Sequence, residues 1–134
     1  METVFEKTYA KITVDTENKV MYVVWNGFIT SEQYREVFIK LLDLLKEHKI
    51  VRLLTDTRKQ GVISPTDRKW LETEIVPEAV KNGLKYSATV VTKDVFKQYY
   101  MNEIVNSSKQ KGMEDFRLFD DDKEAKEWLL SMPL

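Results

Sequence analysis

The sequence predicts a single α/β domain with a mixed, mainly parallel five-stranded sheet, an N-terminal β-hairpin and about four helices. Three observations indicate this class. Two strand-like segments come first, helix-like and strand-like segments then alternate, and no linker rich in Ser, Gly or Pro divides the 134 residues. Alternating strands and helices are typical of βαβ units and hence of parallel sheets, whereas a hairpin adds an antiparallel strand. We expect one domain spanning residues 1–134.

The hairpin is predicted within the first 25 residues. Tyr9 to Val14 alternates between apolar and polar side chains, as a half-buried strand does. Val20 to Trp25 is a continuous apolar run, which is typical of a strand covered on both faces. The polar residues 15–19 between them have a length suited to a hairpin turn, and Asn26-Gly27 ends the second strand.

Helical patterns follow the hairpin. A first helix begins after a residue that can cap it, Thr30 or Ser31, and its apolar residues repeat at the spacing of one helical face. Those residues are Tyr34, Val37, Phe38, Leu41, Leu42 and Leu45. A second helix begins at Ser64-Pro65, and Pro77 is expected to kink or split it. Further helices are predicted from about Asp94 to Ser107 and from Asp121 to Ser131.

The remaining strands, residues 51–56, 86–91 and 116–119, bring polar residues to one edge of the predicted sheet. Carboxyl ends of parallel strands meet at a shared edge, where open α/β sheets bind ligands. The candidate ligand-binding residues there are Asn26, Asp56, Thr57, Arg58 and Lys93. Ordinary turn and helix-cap roles are the alternative for all of them. The run Asp120 to Asp122 is predicted to cap the last helix rather than to bind a cation.

Composition argues against several functional classes. Lys and Arg number 21 against 22 Asp and Glu, a net charge of −1, whereas nucleic-acid binding needs a basic excess. We therefore predict no nucleic-acid partner. The absence of cysteine excludes disulfides, thiol catalysis and Cys-type zinc sites. No signal pattern follows Met1 and no apolar run is long enough to cross a bilayer, so a soluble, cytoplasmic protein is expected.

Catalytic motifs are also missing. His48 is the only histidine, and its charged surroundings favour a solvated helix end over a catalytic or metal-binding role. The sequence contains neither of the common glycine-rich phosphate loops nor a G-x-S-x-G nucleophile turn. We predict no enzyme, no cofactor and no metal site. If the chain were an enzyme, Asp56 and Arg58 would be the best candidates for acid–base and anion-orienting roles.

An aromatic stretch in the third helix indicates a contact surface. Phe96, Tyr99, Tyr100 and Met101 are too close in sequence for all four to face inward from one helix, so some face outward. We predict a subunit or partner interface there. A purely structural role, with the rings packed into the core, and the lip of an apolar pocket remain alternatives.

With these elements in order, the chain resembles STAS domains, named after sulfate transporters and anti-sigma-factor antagonists. It is more similar to uncharacterised bacterial STAS-like proteins, whose fold is also related to the CRAL-TRIO lipid-binding domain. The resemblance spans almost the whole chain and rests mostly on structural motifs. Its segments are Val23 to Thr30, Leu53 to Arg58, Trp70-Leu71, Pro77, Gly83 to Ala88 and Phe119 to Leu129.

The resemblance implies a possible switch residue. In the antagonist branch, a serine that opens a helix is phosphorylated and thereby changes partner binding. Ser64 occupies the comparable strand-to-helix junction, but Pro65 follows it and the acid–Ser–Ser/Thr–Gly pattern is absent. A phosphate at a helix N-terminus would be electrostatically favourable.

The function predicted from all of this is a non-enzymatic regulatory or protein-interaction module, with a homodimer as one form. The alternative is a small-ligand or lipid-binding domain with an apolar pocket at the sheet edge, where Arg58 and Lys93 would bind an anionic head group. The sequence names no ligand, partner or pathway.

Overall fold

A computed structural model describes residues 1–134 and contains one sheet and four helical segments. The strands are β1 (Glu2–Glu6), β2 (Ala10–Asp15), β3 (Val20–Trp25), β4 (Arg52–Asp56), β5 (Tyr86–Val90) and β6 (Asp115–Phe119). The helices are α1 (Ser31–His48), α2 (Pro65–Trp70), α3 (Val76–Lys81), α4 (Val95–Gln110) and α5 (Asp122–Ser131), with a π-helical turn at Leu71–Ile75 between α2 and α3.

The sheet has six strands, and their spatial order is the order of the chain, β1 to β6. β1 and β2 pair with their neighbours in antiparallel orientation, whereas β3 to β6 are mutually parallel. The predicted mixed, mainly parallel sheet with a hairpin is confirmed, but the number of strands was wrong. The additional strand, β1, has no side chain that is fully buried. As an exposed edge strand it lacks the apolar alternation by which strands are recognised.

The sheet is covered differently on its two faces because its strand order never reverses. Each right-handed crossover that advances the sheet in the same direction places its helix on the same face. The α1, α2–α3 and α4 segments accordingly share the larger core cluster with one face of the sheet. The other face is covered by α5, whose Ala125 and Leu129 are fully buried against β3, β4 and β5.

The first helix begins with a capping box. Thr30 accepts a hydrogen bond from the Gln33 backbone at 3.1 Å, and the Gln33 side chain accepts one from the Thr30 backbone at 3.0 Å. These reciprocal bonds satisfy two of the orphan N–H groups of the first turn. The helix ends at Lys49, which adopts the left-handed conformation with φ 52°. Of the two predicted caps, Thr30 is therefore the one used.

Pro77 alters the second helical segment without dividing it. Proline cannot donate a hydrogen bond and its ring crowds the carbonyl one turn earlier. The backbone accommodates this with the π-helical turn, in which the Val76 N–H donates to the Leu71 carbonyl, and the residues on both sides keep right-handed helical angles. The segment from residue 65 to 81 is thus one helix with a widened turn. None of the helices combines the length and apolar character required to span a membrane.

Candidate functional site

The four parallel strands bring the predicted residues to one edge of the sheet, which we call the rim. Asn26 is exposed, and its side chain donates to the Thr8 carbonyl at 3.3 Å. Thr57 is buried and its hydroxyl donates to the Val90 carbonyl at 2.9 Å. Lys93 is exposed at the end of β5. The predicted residues therefore share the rim, but their side chains point to different neighbours.

Asp56 and Arg58 form a close ion pair. Arg58 Nη2 lies 2.7 Å from Asp56 Oδ2, and its Nε and backbone N–H both donate to Asp56 Oδ1. Burial opposes ionisation of this carboxyl, but the hydrogen bonds from Arg58 outweigh it, so the pKa of Asp56 lies below its usual value. A general base for neutral pH needs a pKa near 7. The geometry favours a turn-stabilising role for Asp56.

The rim has an open depression at the ends of β5 and β6. Three crossovers leave β3, β4 and β5 on one face of the sheet, whereas α5, which follows β6, covers the other face. Neighbouring strand ends whose helices lie on opposite faces leave a space between them. None of the predicted ligand-binding residues lines this depression, which is formed by Val91, Gln98, Asn102, Leu118, Phe119, Asp120 and Glu124. A second concave space lies beneath the helices of the larger core cluster.

A cavity of about 70 Å³ lies between the sheet and those helices. Its floor is formed by β3, β4, β5 and β6, and its other walls by α1, the 65–81 segment and α4. Of the predicted ligand-binding residues, only Thr57 lines it. The lining residues are Trp25, Tyr34, Phe38, Leu41, Leu53, Thr55, Thr57, Gln60, Leu71, Ile75, Val76, Ala79, Leu84, Ser87, Thr89, Met101, Ile104, Ser108, Met113 and Phe116.

None of these lining residues carries a charge. Arg58 and Lys93, predicted to bind an anionic head group beside the pocket, are both absent from its walls. Arg58 is instead directed to Asp56 and lies 3.8 Å from Asp122 of α5. The cavity is thus a neutral space within the main core.

The polar residues of the cavity floor were not predicted from the sequence. Thr55, Ser87 and Thr89 lie on β4 and β5, and Thr55 is the direct register partner of Thr89. These small hydroxyl residues occupy alternate positions of otherwise apolar strands, and alternate residues face the same side of a sheet. This pattern could have predicted a polar patch on one face of β4 and β5. They leave room where larger aliphatic side chains would fill the core.

Gln60 and Lys97 connect the cavity to the rim. Gln60 lines the cavity, is 4% exposed and has no hydrogen-bond partner for its Oε1. The ammonium group of Lys97 donates to the carbonyls of Thr57 and Gln60 and so ties α4 to the loop after β4. Burial lowers the pKa of Lys97, opposed by the nearby Asp94. Lys97 lies on the same face of α4 as the buried Met101 and Ile104. This helical spacing was the sequence pattern that could have predicted its buried position.

An exposed apolar surface lies on the loops and helix that meet at the rim. It comprises Phe28, Val62, Val95, Phe96 and Tyr99, which are between 56% and 81% exposed, and we call it the rim surface. Backbone hydrogen bonds join Gly27 to Lys59 and Gly61, and Lys97 joins α4 to the same loop. The three segments that carry the rim surface are therefore fastened to one another.

Tyr100 does not belong to this surface, so its assignment as an interface residue was wrong. Its side chain is 1% exposed, and the guanidinium of Arg68 lies 4.3 Å from its ring centroid. Successive residues in a helix are about 100° apart, so the neighbour of an outward Tyr99 turns toward the core. Phe96 and Tyr99 remain interface candidates.

Ser64 is an exposed helix cap. Its hydroxyl accepts a hydrogen bond from the Asp67 backbone at 3.2 Å, as the Ser-Pro sequence predicts. The Asp67 carboxylate is buried and accepts bonds from Ser31 and Arg35 of α1 at 2.7 and 3.2 Å. The start of α2 is thereby fixed to the start of α1, and phosphorylation of Ser64 stays a prediction.

Comparison with known proteins identifies the fold. The model of the SpoIIAA-like family matches residues 20–130, from β3 to α5. The crystal structure of an uncharacterised protein of the DUF3478 family from Shewanella loihica PV-4, which has a SpoIIAA-like fold, superposes with a TM-score of 0.62. The two sequences are 17% identical, and the match covers 94% of this chain and 98% of that chain. No curated protein matches the sequence.

Proposed function

We propose, on the basis that this chain belongs to the SpoIIAA-like family, that it is a non-enzymatic interaction module. The SpoIIAA-like fold fits a regulatory or interaction module. The observation that supports this function best is the rim surface, which holds five of the ten exposed large hydrophobic residues of the chain. Apolar side chains clustered at one end of a monomer commonly mark binding sites.

The partner we propose is a protein with an apolar pocket bordered by carboxylates. Phe28, Phe96 and Tyr99 are the kinds of residues that act as anchors at protein interfaces. Lys59 and Lys93 flank them, are exposed and have no carboxylate within salt-bridge distance. Free ammonium groups around apolar anchors favour an acidic partner surface over a basic one.

The rim surface is tested by site-specific photocrosslinking. With p-benzoylphenylalanine at Tyr99 we expect a discrete crosslinked species in cells, and at Ile39 of α1, which is also more than half exposed, we expect none. Mass spectrometry of the adduct distinguishes a second copy of this chain from another protein. Binding of the purified partner is then measured by calorimetry, where the double substitution Phe96→Ser and Tyr99→Ser should weaken it at least tenfold.

Two outcomes would contradict the rim-surface proposal. One is equal crosslinking from Tyr99 and Ile39, and the other is unchanged affinity after the double substitution. Both residues are solvent-exposed, so the variants are expected to keep the circular dichroism spectrum of the parent protein. A loss of binding with an intact spectrum thus reports on the interface.

A second candidate function is the binding of a small molecule in the cavity, favoured by its uncharged lining. Protein interiors contain few voids larger than a water molecule, so a void of about 70 Å³ in the main core is unusual. Leaving it empty would cost roughly 1.7 kcal/mol at about 24 cal/mol per Å³. An occupant would remove that penalty.

Xenon binding tests the cavity candidate. In protein labelled with ¹³C at the methionine methyl groups, we expect xenon pressure to shift the signals of Met101 and Met113, which line the cavity. Ser87→Val, which replaces the floor hydroxyl with two methyl groups, should lose this response. Phe28→Ser lies on the rim surface, outside the cavity, and should keep it. No shift in the parent protein, or a shift retained by Ser87→Val, argues against binding in the cavity.

A further inference from the structure

The cavity is polar on one side and apolar on the other. Its floor carries the hydroxyl groups of Thr55, Ser87 and Thr89 on two adjacent strands, about 5 Å apart. The opposite wall is hydrocarbon from the 65–81 segment and α4, apart from Ser108, whose hydroxyl donates to the Ile104 carbonyl within the helix. That wall includes Leu71, Ile75, Val76, Ala79, Met101 and Ile104. A molecule between these surfaces meets hydrogen-bonding groups at one end only.

The charge of a possible occupant is limited by the walls. Because none of the lining residues is charged, an ion inside the cavity would lose its hydration without gaining a counterion. Two lining residues also hold buried polar atoms without protein partners, namely Gln60 Oε1, an acceptor, and Trp25 Nε1, a donor. Unpartnered buried polar atoms are rare in native proteins. Both atoms are fully enclosed by protein, so the hydrogen-bonding groups open to an uncharged occupant are the floor hydroxyls of Thr55, Ser87 and Thr89.

The size of the occupant is limited by the volume. An apolar cavity of about 150 Å³ admits benzene, which has six non-hydrogen atoms. On that scale the 70 Å³ cavity admits roughly three or four non-hydrogen atoms. Larger molecules require the helices to move away from the sheet.

We infer that the cavity binds a short-chain, uncharged alcohol or carbonyl compound, with its oxygen toward the floor hydroxyls and its carbon chain toward the helices. This inference rests on the cavity-binding function proposed above and specifies the ligand class. Thr89 is a specificity-determining residue in this arrangement, because its hydroxyl lies on the floor beside that of Thr55. Affinity for so few atoms is in the millimolar range, since ligands gain at most about 1.5 kcal/mol per non-hydrogen atom.

A charge series of matched size tests the ligand class. The probes are 1-propanol, acetate and propylammonium, which have four non-hydrogen atoms each, added to protein labelled with ¹³C at the methionine methyl groups. Met101 and Met113 line the cavity, whereas Met1, Met21 and Met132 do not and serve as internal references. We expect saturable shifts of the Met101 and Met113 signals with 1-propanol and none with either ion.

Two substitutions in the cavity floor test where and how 1-propanol binds. Ser87→Val fills the cavity and should abolish the 1-propanol response. Thr89→Val keeps the volume but removes one floor hydroxyl, and should weaken 1-propanol binding about three- to tenfold. Phe28→Ser, on the rim surface, should leave the response unchanged.

The outcomes distinguish failure of the inferred ligand class from failure of the proposed cavity-binding function. Saturable shifts with acetate or propylammonium equal to those with 1-propanol would overturn the inferred class while leaving cavity binding intact. An unchanged affinity in Thr89→Val would overturn the proposed orientation. If none of the three probes moves the Met101 or Met113 signals but xenon does, and Ser87→Val abolishes the xenon response, the ligand class is wrong and the cavity function stands.

Discussion

Replacing Trp25 with alanine is expected to lower the free energy of unfolding by about 3–5 kcal/mol. Trp25 ends β3 and is 1% exposed. Its ring stacks on Tyr34 with 5.5 Å between centroids and lies 5.6 Å from the Phe38 ring. The substitution removes the centre of this aromatic group and extends the existing cavity, because all three rings line it. Urea denaturation followed by circular dichroism measures the loss.

Phe28→Ala is the matched control for this substitution. Phe28 lies three residues further along the chain and is 81% exposed, so its removal should change the free energy of unfolding by less than about 0.5 kcal/mol. Equal effects of the two substitutions would mean that the packing of α1 against β3 is not as described. A small effect of Trp25→Ala alone would show that the cavity region collapses without penalty.

Replacing Arg52 with methionine is expected to destabilise the fold by about 2–4 kcal/mol. Arg52 begins β4 and is buried, and its Nη1 donates to the Asn18 carbonyl at 2.8 Å while Nη2 donates to the Met132 carbonyl. One side chain thereby holds the β2–β3 turn and the residue after α5. Methionine fills similar space but leaves both carbonyls without this donor.

Two measurements test the prediction for Arg52→Met. Urea denaturation gives the stability, and digestion with carboxypeptidase Y, which also cleaves beside proline, reports release of residues 132–134, which should be cleaved faster in Arg52→Met. Arg117→Met is the control, because the Arg117 side chain is 54% exposed and its loss should change stability by less than about 1 kcal/mol. Unchanged digestion of Arg52→Met would show that the bond to Met132 does not retain the C-terminal residues.

The strands and helices with strong periodic patterns were predictable from the sequence. The α1 face, the Thr30 cap and the Ser64-Pro65 helix start depend on neighbouring residues, so local patterns reveal them. β1 was not predictable, because an exposed edge strand needs no apolar face. The π-helical turn at Leu71–Ile75 was only partly predictable, because Pro77 predicts an irregularity in the helix but does not determine its type.

The site was less accessible to sequence reasoning than the fold. The rim residues were placed correctly at one edge by the parallel strands, yet Asp56 and Arg58 satisfy each other there. The cavity depends on which face each crossover covers and on how the helices pack, which are long-range properties. Gln60 and Lys97 meet across 37 residues of sequence, and no local pattern indicates that contact.

The strand order has a consequence for synthesis on the ribosome. Each strand from β2 onward pairs with the strand made immediately before it, so its partner has already left the tunnel when it emerges. The strands of the sheet can therefore pair one after another during translation. The apolar face that α5 covers has no such early partner, because α5 follows all six strands in the chain. That face stays uncovered until α5 emerges, and nascent chains truncated before Asp122 should be the ones that aggregate.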